Sequence, residues 1–340
     1  MLARVIATRE CLKYSIDLQH PYRTLFSSTG GMKQREMPIS ARTDAVTITP
    51  QQWRQRGSLL QLLGHSIFVL DEGIDRCGTL VLLHGFPTSS WDWQPLWADL
   101  TKDYRVIALD MLGFGFSDKP DHRAYTIHRQ ADLVEALVAA KQLTAFHVLA
   151  HDYGDTVAQE LLARQLDSSG VGKWLSCCFL NGGLFPETHR VLFSQKLLLS
   201  PLGGLLVKLT GFRQFSAGFS QVFGVAHRPT EHQLNDFWWI INVNQGKRVF
   251  CNLITYISDR KLHRERWVSA LQTSTIPLAV INGSVDPISG AHMVARYQEL
   301  GCRLDYVAKL DAVGHYPQVE DPQRVLEHYR LHLQALYDAR

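Results

Sequence analysis

The stretch from Val148 to Ala158 leaves few folds open. Val148, Leu149 and Ala150 read as the end of an apolar strand, and the residues from Thr156 to Arg164 carry helical spacing. The change of period falls between two small residues, Ala150 and Gly154, so the backbone must bend abruptly and lift the apex residue, Asp152, out of a sheet. A strand passing straight into a helix is the building unit of an α/β protein, and the rest of the chain repeats it. Apolar strands are predicted at Thr79 to Leu83, Arg105 to Asp110, Ala145 to His151, Trp174 to Asn181, Leu278 to Asn282 and Asp305 to Leu310. Helices are predicted at Trp91 to Leu100, Ile127 to Lys141, Ala291 to Leu300 and Asp321 to Leu336. Two further strands, Ser58 to Leu63 and His65 to Leu70, read as a hairpin turning at Gly64. The alternation calls for a mostly parallel sheet with helices on both faces.

The alternation stops between Phe185 and about Trp267. That stretch is rich in Phe, Leu and Trp with helical spacing, and it separates one sheet strand from the next. It reads as an inserted helical cap over residues 185–267, dividing a core of 46–184 and 268–340. Residues 1–45 lack periodicity and read as a poorly ordered leader. Its arginines and Ser27-Ser28-Thr29 point toward a mitochondrial presequence, whereas Glu10, Asp17 and Glu36 oppose one, and Met32 or Met37 could be the true start. Whether residues 1–36 belong to the mature protein stays open.

Composition narrows the function class. A net charge of +3 over 340 residues, with no clustered basic face, gives no reason to expect nucleic acid as a partner. The longest apolar run, Leu197 to Val207, is broken by Ser200, Pro201, Gly203 and Gly204, and is too short for a bilayer span of about 20 residues. The six cysteines show no C-x-x-C pair or ligand spacing, so no zinc site and no disulfide framework is expected. A reducing, cytoplasmic location is expected, with the mitochondrion open if the leader is a presequence. Neither metal nor organic cofactor is called for.

The strand–turn–helix around Asp152 has the form of the nucleophile elbow G-x-S-x-G, with Ala150 for the first Gly and Asp152 for the Ser. In α/β-hydrolases the chain order is nucleophile, acid, His. Asp286 follows the strand ending at Asn282, and His315 follows the strand ending at Leu310, which matches that order at the ends of strands where open α/β sheets bind ligands. His84-Gly85-Phe86-Pro87 follows an earlier strand. The backbone N–H groups of Phe86 and Tyr153 would then form an oxyanion hole. Leu112-Gly113-Phe114-Gly115-Phe116 resembles half of a dinucleotide fingerprint, but it lacks the third glycine and runs into a turn at Pro120. A carboxylate apex is an anion at neutral pH without help from a base. It can attack a saturated carbon and form an alkyl-enzyme ester, which water activated by His315 and Asp286 would hydrolyse.

These motifs resemble the epoxide hydrolase and haloalkane dehalogenase group of α/β-hydrolases. The runs HGFPTSSWDW, VIALDMLGFGFSDKP, HDYGDTVAQELL, NGGLFPETHR, RERWVSAL and HYPQVEDP are similar to the mesoderm-specific transcript branch, from about Leu80 to Pro322. The resemblance implies a small apolar substrate, an epoxide or a haloalkane. Epoxide hydrolases protonate the opening oxygen with cap tyrosines, and Tyr256 matches the second of the usual two; the first has no counterpart. Haloalkane dehalogenases cradle the halide with N–H donors, where this chain has Tyr153 and Phe86, leaving Trp238 or Trp239 as indole donors. His84 is a further candidate beside the substrate. Epoxide opening is the favoured expectation, with halide displacement as the alternative. A non-catalytic interaction or lipid-handling protein on the same fold is the third reading. Oligomeric state and stereochemistry are not legible.

Overall fold

Continuous apolar runs such as Leu80 to Leu83 have two faces to bury, and parallel strands under helices bury both. In the computed structural model, which describes residues 48–121 and 125–338, eight strands form one sheet. They are β1 Ser58–Leu62, β2 His65–Gly73, β3 Thr79–Leu83, β4 Arg105–Leu109, β5 Ala145–His151, β6 Lys173–Leu180, β7 Leu278–Gly283 and β8 Tyr306–Leu310. Their order is β1-β2-β4-β3-β5-β6-β7-β8, and every pair is parallel except those made by β2. All residues of β3 and β7 are buried, the signature of a sheet covered on both sides. The leader expected over residues 1–45 lies outside the described residues.

The helices are α1 Pro50–Arg56, α2 Gln94–Leu100, α3 Ile127–Ala140, α4 Tyr153–Leu166, α5 Phe193–Leu198, α6 Gly203–Leu209, α7 Phe212–Phe219, α8 Glu231–Asn242, α9 Phe250–Leu253, α10 Tyr256–Leu262, α11 Arg264–Thr273, α12 Ala291–Glu299, α13 Pro317–Glu320 and α14 Pro322–Asp338. Helices α3, α4 and α11 pack side by side, while α2 packs on α14. From α5 to α10 the chain is helical between β6 and β7, and α11 returns along α4.

Two differences from the sequence reading have local causes. Strand β2 runs to Gly73, three residues past the expected end, because Asp71 takes a bidentate bond from Arg105 (2.8 and 2.8 Å) across the β2–β4 pair. That polar pairing escapes an apolar pattern. The helix expected from Trp91 starts as a 3₁₀ turn over Ser90–Trp93, and α2 proper begins at Gln94 with Pro95 in its first turn. Among the cysteines, Cys177, Cys178, Cys251 and Cys302 are free, whereas Cys77 is disulfide-bonded, against expectation.

Strand β5 delivers Asp152 at φ 48° and ψ −102°, a conformation that costs a non-glycine residue about 1–3 kcal/mol. The turn closes because Gly154 has no side chain: a Cβ there would sit 2.3 Å from the carbonyl oxygen of Leu83. Gly154→Ala must push β3 from the elbow and should cost about 1–3 kcal/mol in thermal unfolding. Gly204→Ala, where nothing lies within 4 Å of the added carbon, should leave the melting temperature unchanged or raise it. Equal melting of the two variants would show that the close approach at the elbow is not needed.

Candidate active site

Three strand ends converge. Asp152 sits at the tip of β5, and one carboxylate oxygen, Oδ2, accepts the Phe86 backbone N–H at 3.0 Å from the loop after β3. The other, Oδ1, lies 3.9 Å from His315 Nε2 and 3.7 Å from the Arg260 guanidinium. His315, after β8, donates Nδ1–H to Asp286 Oδ2 at 2.8 Å. Asp286, after β7, also accepts Asn181 Nδ2 (2.9 Å), Ser289 Oγ (2.8 Å) and the Ile288 N–H (2.7 Å). All three members of the set are buried.

The charges follow from these contacts. Burial alone would lower the His315 pKa, but the carboxylates of Asp286 and Asp152 outweigh it and push it from 6.5 up to about 10. Burial opposes ionisation of Asp152 and Asp286, yet both stay below the usual carboxylate range beside the imidazolium. The resting site is an imidazolium between two carboxylates. Asp152 and Asp286 therefore need no base to be anionic.

Several residues hold this set. His84 accepts the Met111 N–H on Nε2 (3.0 Å), so its Nδ1 carries the proton and donates to Gly85 O (2.8 Å). It joins the loops after β3 and β4 and does not line the cavity, contrary to the expectation of a place beside the substrate. Asp110 accepts Ser90 N, Ser90 Oγ and Phe116 N at 2.8, 2.6 and 2.7 Å, which folds the glycine-containing run 112–117 around a carboxylate and away from any phosphate-binding role. Glu320 accepts the N–H groups of Gly314 (2.7 Å), Tyr316 (3.0 Å) and Gly224 (2.8 Å), tying the His315 loop to the helical insertion.

A cavity of about 220 Å³ opens over Asp152 and His315, walled by Phe86, Leu206, Val207, Phe215, Trp238, Phe250 and Tyr316 among others. Trp238 stands in this wall; Trp239 packs 6.1 Å from Phe116 and does not. Tyr256 is fully buried with its ring 5.0 Å from that of Tyr153, and neither residue lines the cavity. Its hydroxyl has no partner among the described residues, and burial raises its pKa, so it stays protonated. Among the described residues, no group of three or more His, Cys, Asp or Glu could hold a metal ion.

Arg260 was not legible as a site residue. Its guanidinium is 1% exposed, donates to the Asp152 carbonyl (3.2 Å) and Thr156 Oγ1 (2.7 Å), and lies 4.5 Å from the Tyr256 ring centroid. Flanked by the charged Asp259 and Lys261, Arg260 gives no warning of this in the sequence. Asn181 was missed too, although an Asn-Gly-Gly run at a strand end is a signal that could have found it.

A family model, the alpha/beta hydrolase family, matches residues 80–328, and the chain belongs to that family. Mesoderm-specific transcript protein of Mus musculus is 44% identical over 290 residues, 82% of this chain and 85% of the relative. Among solved structures, a loop variant of haloalkane dehalogenase from Bradyrhizobium elkanii matches with a TM-score of 0.70 at 19% identity, covering 83% of this chain and 97% of that one. A ligand-free epoxide hydrolase matches with a TM-score of 0.68 at 18% identity, covering 82% and 99%. At such identities the structural likeness establishes the fold alone. The chain is an α/β-hydrolase.

The charge arrangement predicts its own titration. A folded-state pKa above 6.5 means His315 adds stability in full below pH 6.5, and that contribution is lost as pH rises through about 10. The advantage of the wild type over His315→Gln in urea unfolding should therefore be larger at pH 6 than at pH 10. By NMR, Asp152→Asn should move the His315 titration back toward 6.5. An unmoved titration would mean that Asp152 does not hold the imidazolium.

Proposed function

We propose that this α/β-hydrolase uses Asp152 as a carboxylate nucleophile and opens epoxides through an alkyl-enzyme ester. The observation that carries the reading is the division of labour between the two Asp152 oxygens. Oδ2 already occupies the Phe86 N–H, while Oδ1 makes no hydrogen bond that short and lies 3.9 Å from His315 Nε2 and 3.7 Å from Arg260, on a residue that lines the cavity. Attack by Oδ1 on a ring carbon breaks the carbon–oxygen bond, and the Tyr256 hydroxyl, protonated and without a hydrogen-bond partner among the described residues, supplies the proton to the departing oxygen.

Esterification removes the negative charge of Asp152. One of the two carboxylates that raise the His315 pKa is then gone, so the imidazolium yields its proton to the Tyr256 phenolate and becomes a base. It next takes a proton from water while the water oxygen bonds to the ester carbon. The resulting oxyanion grows on Oδ2, where the N–H groups of Phe86 and Tyr153 would meet it; one such donor contributes about 2.7–4 kcal/mol. Collapse expels the ester's alkoxide oxygen, which takes the proton of the newly formed carboxyl, so a diol leaves and Asp152 is again a carboxylate, while His315 keeps the proton taken from water. Asp286, locked by three side chains and one N–H, keeps the imidazole in place.

One observation favours a second reading, halide displacement by the same nucleophile. Trp238 stands in the cavity wall and Tyr256 does not, so the wall offers an indole where the epoxide reading needs a phenol. The ester chemistry is common to both.

His315→Gln should trap substrate mass on the peptide carrying Asp152, seen by mass spectrometry after incubation with a panel of epoxides and haloalkanes. Wild-type turnover yielding diol without halide selects epoxide opening, and Tyr256→Phe should then lower it about 10²–10⁴-fold. Release of halide selects the second reading. A panel giving no adduct would sink the nucleophile assignment.

A further inference from the structure

The helical insertion carries an apolar surface outside the cavity. Leu202, Leu205 and Leu209 are 64%, 58% and 70% exposed, and their spacing puts them on one face of α6; Leu199, 40% exposed, precedes them. The other large exposed apolar residues are scattered over the rest of the chain. A solvated helix face seldom carries leucine at three successive turns.

The same element also walls the cavity, through Val207 on the far side of the helix and Leu206 at the edge of the leucine face. The cavity reaches solvent nearby, at Gln214 and Gly218 on α7, which line it and are exposed. From Thr188 to Thr230 there is no Asp or Glu, but Arg190, Lys196, Lys208, Arg213 and Arg228. Lys196, Lys208 and Arg213 are exposed around the leucines. Apolar side chains ringed by unopposed cations suit an interface with anionic headgroups above hydrocarbon, where lysine stems snorkel and leucines enter the acyl boundary. No described helix is long and apolar enough to cross a membrane, so the contact would be with one leaflet.

We infer that the outer face of α5–α6 docks on an anionic phospholipid surface and sets the cavity mouth against it, so that a substrate dissolved in the lipid enters without crossing water. The docking stands on the surface alone; the route to Asp152 rests on the function proposed above. A second copy of this chain would be the competing occupant, but a like-charged basic rim facing itself opposes that.

Flotation of the full chain with vesicles tests the docking without any turnover. The protein should float with phosphatidylcholine vesicles containing phosphatidylserine, less with pure phosphatidylcholine, and less again in high salt. The triple substitution Leu202→Glu, Leu205→Glu, Leu209→Glu should weaken flotation at least about tenfold with thermal unfolding unchanged, and Lys196→Gln with Lys208→Gln should remove the preference for phosphatidylserine. Leu262→Glu, at an exposed leucine elsewhere, should float like the wild type. Failure of the wild type to float, or equal flotation of the triple variant, overturns the docking. So does sedimentation showing a dimer that the triple substitution dissociates.

In the His315→Gln background the triple substitution should slow adduct formation from a long-chain epoxide dissolved in vesicles and spare a short water-soluble one. Equal slowing of both overturns the route. No adduct from either condemns the catalytic reading, while flotation still decides the surface.

Discussion

Two buried carboxylates and one buried imidazolium hold the ends of β5, β7 and β8 together. An isolated buried charge is expensive, and so is an isolated pair lacking further hydrogen bonds. Here each charge is answered: Asp286 by four donors, Asp152 by the Phe86 N–H and the nearby Arg260, His315 by both carboxylates. The fold pays for this by spending Asn181, Ser289 and Arg260 on the site. Remove any one charge and the others become liabilities, so the set is best regarded as one unit.

Outside that unit, a second shell of polar hubs fixes the loops. Asp110 gathers the loop after β4, His84 links it to the loop after β3, and Glu320 joins the His315 loop to the insertion at Gly224. Each hub accepts backbone N–H groups, which gives rigid geometry because the backbone has few ways to yield. Glycines complete the arrangement where no side chain fits. A Cβ at Gly115 would lie 2.0 Å from Asp110 Oδ2, and one at Gly283 2.0 Å from Gly314 O.

How much of this the sequence disclosed depends on what kind of signal each part leaves. Strands β3 and β5 were read to the residue because apolar runs bounded by turn residues are local facts. The convergence of Asp152, Asp286 and His315 was legible because a parallel sheet sends every strand end to one edge. Long-range polar choices leave no such trace. Nothing in the run Asp259-Arg260-Lys261 tells which cation turns inward, and only the fold brings Arg260 beside Asp152, 108 positions away. His84 illustrates the reverse error: it was expected beside the substrate, but both ring nitrogens are taken by backbone. Trp238 and Trp239 are neighbours in sequence on α8, and helical geometry sends one to the cavity and the other toward Phe116.

The electrostatics also bear on the leaving group. With its pKa raised by the two carboxylates, His315 is a poor base at rest, so in the proposed mechanism the first step would begin and finish without it accepting a proton. A carboxylate nucleophile satisfies that condition, whereas a hydroxyl would not, since it must lose its proton during attack. Departing halide needs only a donor nearby, but a departing alkoxide needs a whole proton; the His315 imidazolium lines the cavity, while the Tyr256 phenol is protonated behind its wall. Of these, the phenol hydroxyl has no hydrogen-bond partner among the described residues, although the Arg260 guanidinium lies over its ring. In the epoxide reading proposed above, the burial that raises the Tyr256 pKa would also make its phenolate short-lived, so that reprotonation from His315 and activation of His315 as a base would be one event. In that mechanism the coupling would give the order of steps a physical cause: the ester would have to form before the base exists.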